Sequence, residues 1–316
     1  MEFRTKVPVS KSRNLITHSS GLVLLGSCFV ENIGEKLQWF KFKPLQNPFG
    51  IIFHSNPLLR LIERLVNNQM FDENDLIHFE GNWLSLEAHS VMNAESKEKV
   101  LENLNSALKE SRNSIIEAEY VIISLGSAWA YEYVANNKKV ANCHRIPQKQ
   151  FKKVLSSGSE IAEDLQSIRQ ALNKINKDLK IICTVSPVRH LKDGFVGNQR
   201  GKSNLISGVH DFIEEGKNAF YFPSYEIMMD ELRDYRFYKD DMIHPGELAI
   251  NYIWEQFSEN WMSDETLNLN LKIDKIQKAL AHRPRAENSD EHKKFLTKIY
   301  AKIEEIHKKH PEITFS

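Results

Sequence analysis

Apolar residues fall into short runs along this chain, separated by segments of helical period. The clearest runs are LVLL (Leu22 to Leu25), YVIISLG (Tyr120 to Gly126), LKIICTVSP (Leu179 to Pro187) and NAFYFP (Asn218 to Pro223). A weaker one, WFKFKPL, centres on Phe40 to Leu45. Three of the five are continuous rather than alternating, as strands buried on both faces of a parallel sheet are. Between them, Ile161, Leu165, Ile168, Leu172 and Ile175 recur at spacings of four and three, with Ser159 as a candidate N-cap. SNLISGVHDFIEEG sets Leu205, Val209 and Phe212 on one face and ends at Gly216, while SNPLLRLIERLVNN places Pro57 in a first helical turn. Strands alternating with helices predict βαβ units with right-handed crossovers, and hence a three-layer α/β/α sandwich around a five-stranded parallel sheet.

Two segments break the alternation. IHFEGNWLSLEAH predicts a hairpin turning at Gly81-Asn82, and AYEYVANNKKVANCHR a second one turning at Asn136-Asn137. They mark insertions around residues 67–98 and 129–150 of a domain spanning 1–260. Beyond Trp261 the chain turns charged and helical, and 261–316 is expected to be a helical extension rather than a second enzyme domain.

Composition narrows the function. Lys+Arg and Asp+Glu both number 42, so no net charge recruits nucleic acid or an acidic membrane. The N-terminus lacks an apolar core and a small-residue cleavage site, and no apolar run is long enough to span a bilayer. Cys28, Cys143 and Cys183 are odd in number and far apart, which fits neither a disulfide framework nor a metal knuckle. The expectation is a cytoplasmic protein that needs no metal or other cofactor; oligomeric state is not legible.

The stretch GLVLLGSCFVENIGEKL puts Ser27 where a buried strand turns into a helix. In an open parallel sheet that is where ligands bind, and the helix start offers free N–H groups to an anion. A serine there is either a nucleophile beside an oxyanion site or simply the N-cap of its helix. A nucleophile needs a base. In YKDDMIHPGELAINYIWEQF, Asp241 and His244 lie three apart, which lets the carboxylate take the His244 Nδ1–H and leaves Nε2 free. The rival reading is a solvated acidic cluster beside a surface histidine.

Taken together these stretches resemble the GSCFA family, a branch of the SGNH/GDSL hydrolases. GSCFVENIG carries the signature. The likeness continues through NPFGI (Asn47 to Ile51), ANCHR (Ala141 to Arg145), TVSPVRHLKDG (Thr184 to Gly194) and YFPSYEIMMDELRDYRFYKDDMIHP (Tyr221 to Pro245). The resemblance implies an SGNH-type, flavodoxin-like sheet, with Ser27 as nucleophile, His244 as general base and then acid, and Asp241 as its orienting partner. It places Gly50, with Asn47 in the same motif, at the oxyanion, although a turn glycine after Pro48 explains Gly50 equally well. Where the wider superfamily has an oxyanion asparagine, SLGSAWAY has Ala128. Losing one such donor costs roughly two to three orders of magnitude in turnover. The second hairpin returns with Asn142 and His144, and one of them is expected to replace that donor.

Arg189 and His190 follow a strand and should face the same cleft. Arg189 suits a carboxylate or sugar hydroxyls through its planar fork, or an internal salt bridge, and His190 is a reserve base. Cys28 is a less favoured nucleophile, and an Asp240–Asp241–His244 metal site lacks further ligands. The expected activity is hydrolysis of an acyl ester, with an O-acetylated carbohydrate as the substrate class the resemblance suggests. The alternatives are an O-acyltransferase to a saccharide and a non-catalytic carbohydrate-binding protein that kept the fold.

Overall fold

A computed structural model of the protein describes residues 5–282 and 290–315. In chain order the first half runs β1 (Leu22–Gly26), α1 (Cys28–Trp39), β2 (Leu45–Gln46), α2 (Ser55–Val66), β3 (Ile77–Phe79), β4 (Asn82–Leu84) and α3 (Lys97–Glu117). Next come β5 (Tyr120–Leu125), β6 (Trp129–Tyr133), β7 (Lys138–Lys139), β8 (Phe151–Leu155), α4 (Gly158–Asn173), β9 (Lys180–Val185) and α5 (Gly194–Glu214). The last part is β10 (Ala219–Tyr221), the single turn α6 (Ser224–Glu226), then α7 (Glu247–Trp261), α8 (Asp264–Ala281) and α9 (Asp290–Lys309).

Five strands form one parallel sheet in the order β10-β9-β5-β1-β2. Successive side chains point to opposite faces, so each central strand feeds two cores. Val23, Leu25, Val121, Ile123, Ile181 and Cys183 pack under residues of α2, α3, α4 and α5. Leu22, Leu24, Tyr120, Ile122 and Ile182 pack under residues of α1 and α7. Two-sided burial is why these strands read as unbroken apolar runs. The order of the winding reverses between β1 and β5, so a crevice opens there beyond the strands' carboxyl ends.

Several boundaries differ from the sequence reading. The second strand is only Leu45–Gln46, because α1 runs through Trp39 and Pro44 has no N–H to donate. The N-cap of α4 is Ser157, which forms a capping box with Glu160, and Ser159 lies inside the helix. The first hairpin turns at Glu80-Gly81, both at positive φ, with Phe79 opposite Asn82. Such a turn needs φ above zero at both central residues, which favours glycine at the second. The second hairpin joins β6 to β7 through residues 134–137, and β8 completes a three-stranded antiparallel sheet in the order β7-β6-β8, so this insertion reaches Leu155. Leu84 and Leu86 from the first insertion pack with Val140, Ile146 and Phe151 from the second.

The extension α8–α9 has its own small core of Leu269, Ile273, Ile276, Ile299, Ile306 and Ile313. It is tied to the end of α1, where the Trp39 indole N–H donates to Asp274 Oδ1 at 3.1 Å. Residues 283–289 of the expected tail lie outside the described residues. Among the described residues no helix is long and apolar enough to cross a membrane.

Candidate active site

The loop between β10 and α7 carries the Asp241–His244 pair. Asp241 Oδ2 accepts from His244 Nδ1 at 2.7 Å. Its other oxygen accepts the backbone N–H groups of Ile243 at 2.8 Å and His244 at 2.9 Å. Bonds from the His244 N–H and then the Ile243 N–H hold the carboxyl down to about 2, so it is ionised at any working pH. A carboxylate so placed fixes the imidazole as the tautomer with a proton on Nδ1, leaving Nε2 as the acceptor. His244 lines a cleft of about 440 Å³ at the carboxyl end of the sheet. Cys28 after β1, Phe53 after β2, Ser127 after β5 and Arg189 after β9 also line it. The floor is pinned where the Ile52 N–H donates to Gly26 O at 3.1 Å and the Gly126 N–H to Phe53 O at 2.8 Å.

Ser27 stands at the β1–α1 junction and is 3% exposed. Its Oγ shares a 2.8 Å hydrogen bond with Ser124 Oγ and caps α1 by accepting from the Phe29 N–H at 3.3 Å. Ser27 is thus the N-cap of α1; it stands at the switch point without lining the cleft. Its own N–H donates to Ser124 O at 2.9 Å, and no hydrogen bond joins it to His244 among the described residues. The two strands come this close because residue 26 has no side chain. A Cβ on Gly26, whose φ is +130°, would lie 2.1 Å from Ser124 O.

The Gly50 N–H closes a turn onto Asn47 O at 2.7 Å, and the residue, at φ +75°, does not line the cleft. Asn47 instead reaches the β1 end: its Oδ1 accepts from the Gly26 N–H at 2.9 Å, while its buried Nδ2 makes no hydrogen bond. The hairpin expectation divides. Asn142 lines the cleft and accepts the His144 N–H at 2.8 Å. His144 does not line it: its Nε2–H donates to Ser85 O at 2.9 Å and its Nδ1 accepts from Asn93 Nδ2 at 3.2 Å. Burial lowers its pKa, in keeping with a neutral ring bracing one insertion against the other. His144→Ala should therefore lower the urea midpoint, by about 1–3 kcal/mol of stability for the unmade bonds, and leave kcat within a few-fold. A large loss of kcat in a stably folded variant would return His144 to the chemistry.

Arg189 and His190 line the cleft. Arg189 makes no salt bridge among the described residues; its Nη1 donates to Tyr238 Oη at 2.6 Å. His190 stacks at a tilt on Phe53, and burial with nearby Lys202 pushes its pKa down to about 4, the state of a neutral ring. The thiol of Cys28 is pushed up, chiefly by burial, which is the reverse of what activates a cysteine nucleophile. Among the described residues no three His, Cys, Asp or Glu side chains gather as metal ligands would.

Three further polar groups here escaped the sequence reading. Lys202 on α5 is 1% exposed and donates from Nζ to Gly126 O and Ser186 O, both at 2.6 Å, across the ends of β5 and β9. Burial pulls its pKa from 10.5 to about 7. His54 caps α2 through Nδ1 and donates from Nε2 to Ala128 O at 3.3 Å, and burial takes its pKa to about 4. Ser127 presents a second hydroxyl to the cleft, where it accepts the Trp129 N–H at 3.1 Å.

Sheet order and cleft position define a doubly wound α/β protein with its candidate site at the switch point. More particularly, the chain belongs to the GSCFA family, which matches residues 21–257, and residues 273–316 match the C-terminal domain of GSCFA domain proteins. No curated protein matches the chain. Among solved structures it is similar to a carbohydrate esterase family 3 protein from Talaromyces cellulolyticus. The two are 7% identical with a TM-score of 0.37, over 80% of this chain and 98% of that one.

Proposed function

We propose that the protein is a serine ester hydrolase acting on an acylated carbohydrate or a related small ester. The observation that carries this reading is the Asp241–His244 pair, aligned at 2.7 Å with His244 lining the cleft. Ser27 stands buried at the nearby β1–α1 junction and does not itself line the cleft. In the reaction, Ser27 Oγ attacks the ester carbonyl as His244 Nε2 takes its proton. The tetrahedral oxyanion is held by the unpartnered Asn47 Nδ2 and by the Cys28 N–H, which belongs to the first turn of α1 and has no helical acceptor. His244 then gives the proton to the leaving alkoxide, and the acyl group stays on Ser27. Water, deprotonated by His244, attacks this acyl-serine; the acid departs and the serine regains its proton. The step requires Ser27 Oγ to leave Ser124 for His244. Catalytic hydrogen bonds are often unformed before substrate binds. The carbohydrate part of the reading rests on the SGNH resemblance.

A fluorophosphonate probe should label the wild-type protein on Ser27, and the protein should hydrolyse p-nitrophenyl acetate. Adding saccharides without altering acid release favours water as the acceptor over an acyltransferase role. Label on Ser127 would move the nucleophile to the neighbouring strand. Absence of both label and turnover would leave a binding protein.

A further inference from the structure

Charge is unevenly distributed in this cleft. The whole chain balances 42 basic against 42 acidic residues. Among charged side chains lining the cleft, however, Arg189 and Lys192 face a single acid, Asp193. That acid is already held by Lys153 from β8. Arg189 is the fixed member of the pair of cations. Its Nη1 donates to Tyr238 Oη at 2.6 Å, its Nη2 to Met229 Sδ at 2.9 Å, and its guanidinium stands 5.5 Å from the centre of the Tyr238 ring.

None of those partners is negative. Arg64, a sheltered arginine elsewhere in the fold, shows the contrast, since its guanidinium meets Asp75 at 2.8 Å and Glu87 at 3.1 Å. A guanidinium has five N–H groups in a planar fork. Two are placed on Tyr238 and Met229, and three have no hydrogen-bond partner among the described residues. The rotamer is thus set by neutral neighbours while, among the described residues, no ion pair offsets the charge on the wall of a cleft that also holds His244. A neutral sugar entering here would shed water from that charge without offsetting it. A carboxylate would offset it and accept two of the remaining N–H groups side by side.

We infer that the ligand of this cleft carries a carboxylate bound by Arg189, so that the substrate class is an acyl ester of an acidic saccharide or a similar carboxylated alcohol. This rests on the esterase reading, and the experiment keeps the two separable. Glucuronate and galacturonate are titrated against the wild type beside their methyl esters, and the O-acetylated forms of the same pairs are used as substrates. The acid should bind, and its acetylated form react, at least about tenfold better than the methyl ester, as one charge-assisted bidentate contact implies. The preference should fall to about unity in Arg189→Met and to an intermediate value in Arg189→Lys, which keeps the charge but loses the fork. Thermal melts of both variants identify any loss that is only unfolding, and Arg189→Lys preserves the test if Arg189→Met does not fold.

Equal binding of acid and ester by the wild type, or no measurable binding of either, overturns the inference. Tighter binding of glucose 6-phosphate than of glucuronate also overturns it, in favour of a phosphate ligand. Uncharged p-nitrophenyl acetate reports on the esterase reading by itself. Turnover of that ester without a preference for the acids removes only the carboxylate, whereas binding of the acids without any ester turnover removes only the hydrolase.

Discussion

Ser27→Ala is expected to lower kcat for p-nitrophenyl acetate by about four to six orders of magnitude, the loss that follows removal of the nucleophile from a catalytic unit. The substitution deletes one oxygen, so its structural cost is bounded. It removes the cap on the Phe29 N–H and the bond to Ser124, which together are worth about 1–2 kcal/mol. A domain of this size tolerates that. The variant should melt a few degrees lower and remain folded. Activity and stability therefore answer separate questions. If Ser27 is only a cap, stability falls and turnover holds within about tenfold, and the nucleophile must be sought elsewhere, with cleft-lining Ser127 as the next residue to replace. If Ser27 is the nucleophile, Asp241→Asn should also lose three to four orders of magnitude, because the amide no longer holds the imidazole in the tautomer that accepts a proton.

The sheet was readable because β5 and β9 are buried on both faces, which leaves them no polar alternation to obscure their apolar runs. The edge strand β2 was overestimated. Phe40 caps α1 and Phe42 is buried in the core of the α1 face, so an apolar stretch that looked like a strand belongs to helix-end packing. The Asp241–His244 geometry was readable too, because three-residue spacing in a loop is local and needs no knowledge of the fold. His144 could not be placed the same way, because it depends on contacts to Ser85 and Asn93 in a different insertion that sequence spacing does not signal. The Gly50 bond to Asn47, by contrast, is a local turn of the kind the sequence already allowed.

Lys202 was hidden for a related reason. The stretch GFVGNQRGK precedes SNLISGVHDFIEEG, the segment whose apolar period marks the helix, and carries no such period itself. In the fold α5 starts at Gly194. Glycine at 201 lets the Trp129 ring lie close, since a Cβ there would be 3.1 Å from Trp129 Cδ1. This approach brings the second insertion against the helix. Two extra turns of α5 thereby carry Lys202 beneath the strand ends, and a residue that reads as surface charge becomes the most deeply buried cation beside the site.

The stability of the protein should consequently depend on pH through Lys202. The unfolded chain keeps the ordinary value of 10.5, while burial lowers the folded value to about 7. Below about pH 7 both states hold the proton, and the cost of burying the ammonium is fully expressed. Between about pH 7 and 10.5 the unfolded state binds more protons than the folded one, so stability contributed by this group rises with pH. From pH 7 to 9.5 the rise is at most about 3 kcal/mol. The neutral amine still has two N–H groups for Gly126 O and Ser186 O, so deprotonation need not break those bonds. Lys202→Met removes the titration, leaves both carbonyls unsatisfied, and also lifts the ammonium's downward push on His190 and Cys28. Urea unfolding of wild type and variant at several pH values across this window should show the wild type gaining on the variant as pH rises. A difference that stays flat would mean that the ammonium keeps its proton in the folded state, held by the two carbonyls more strongly than burial disfavours it.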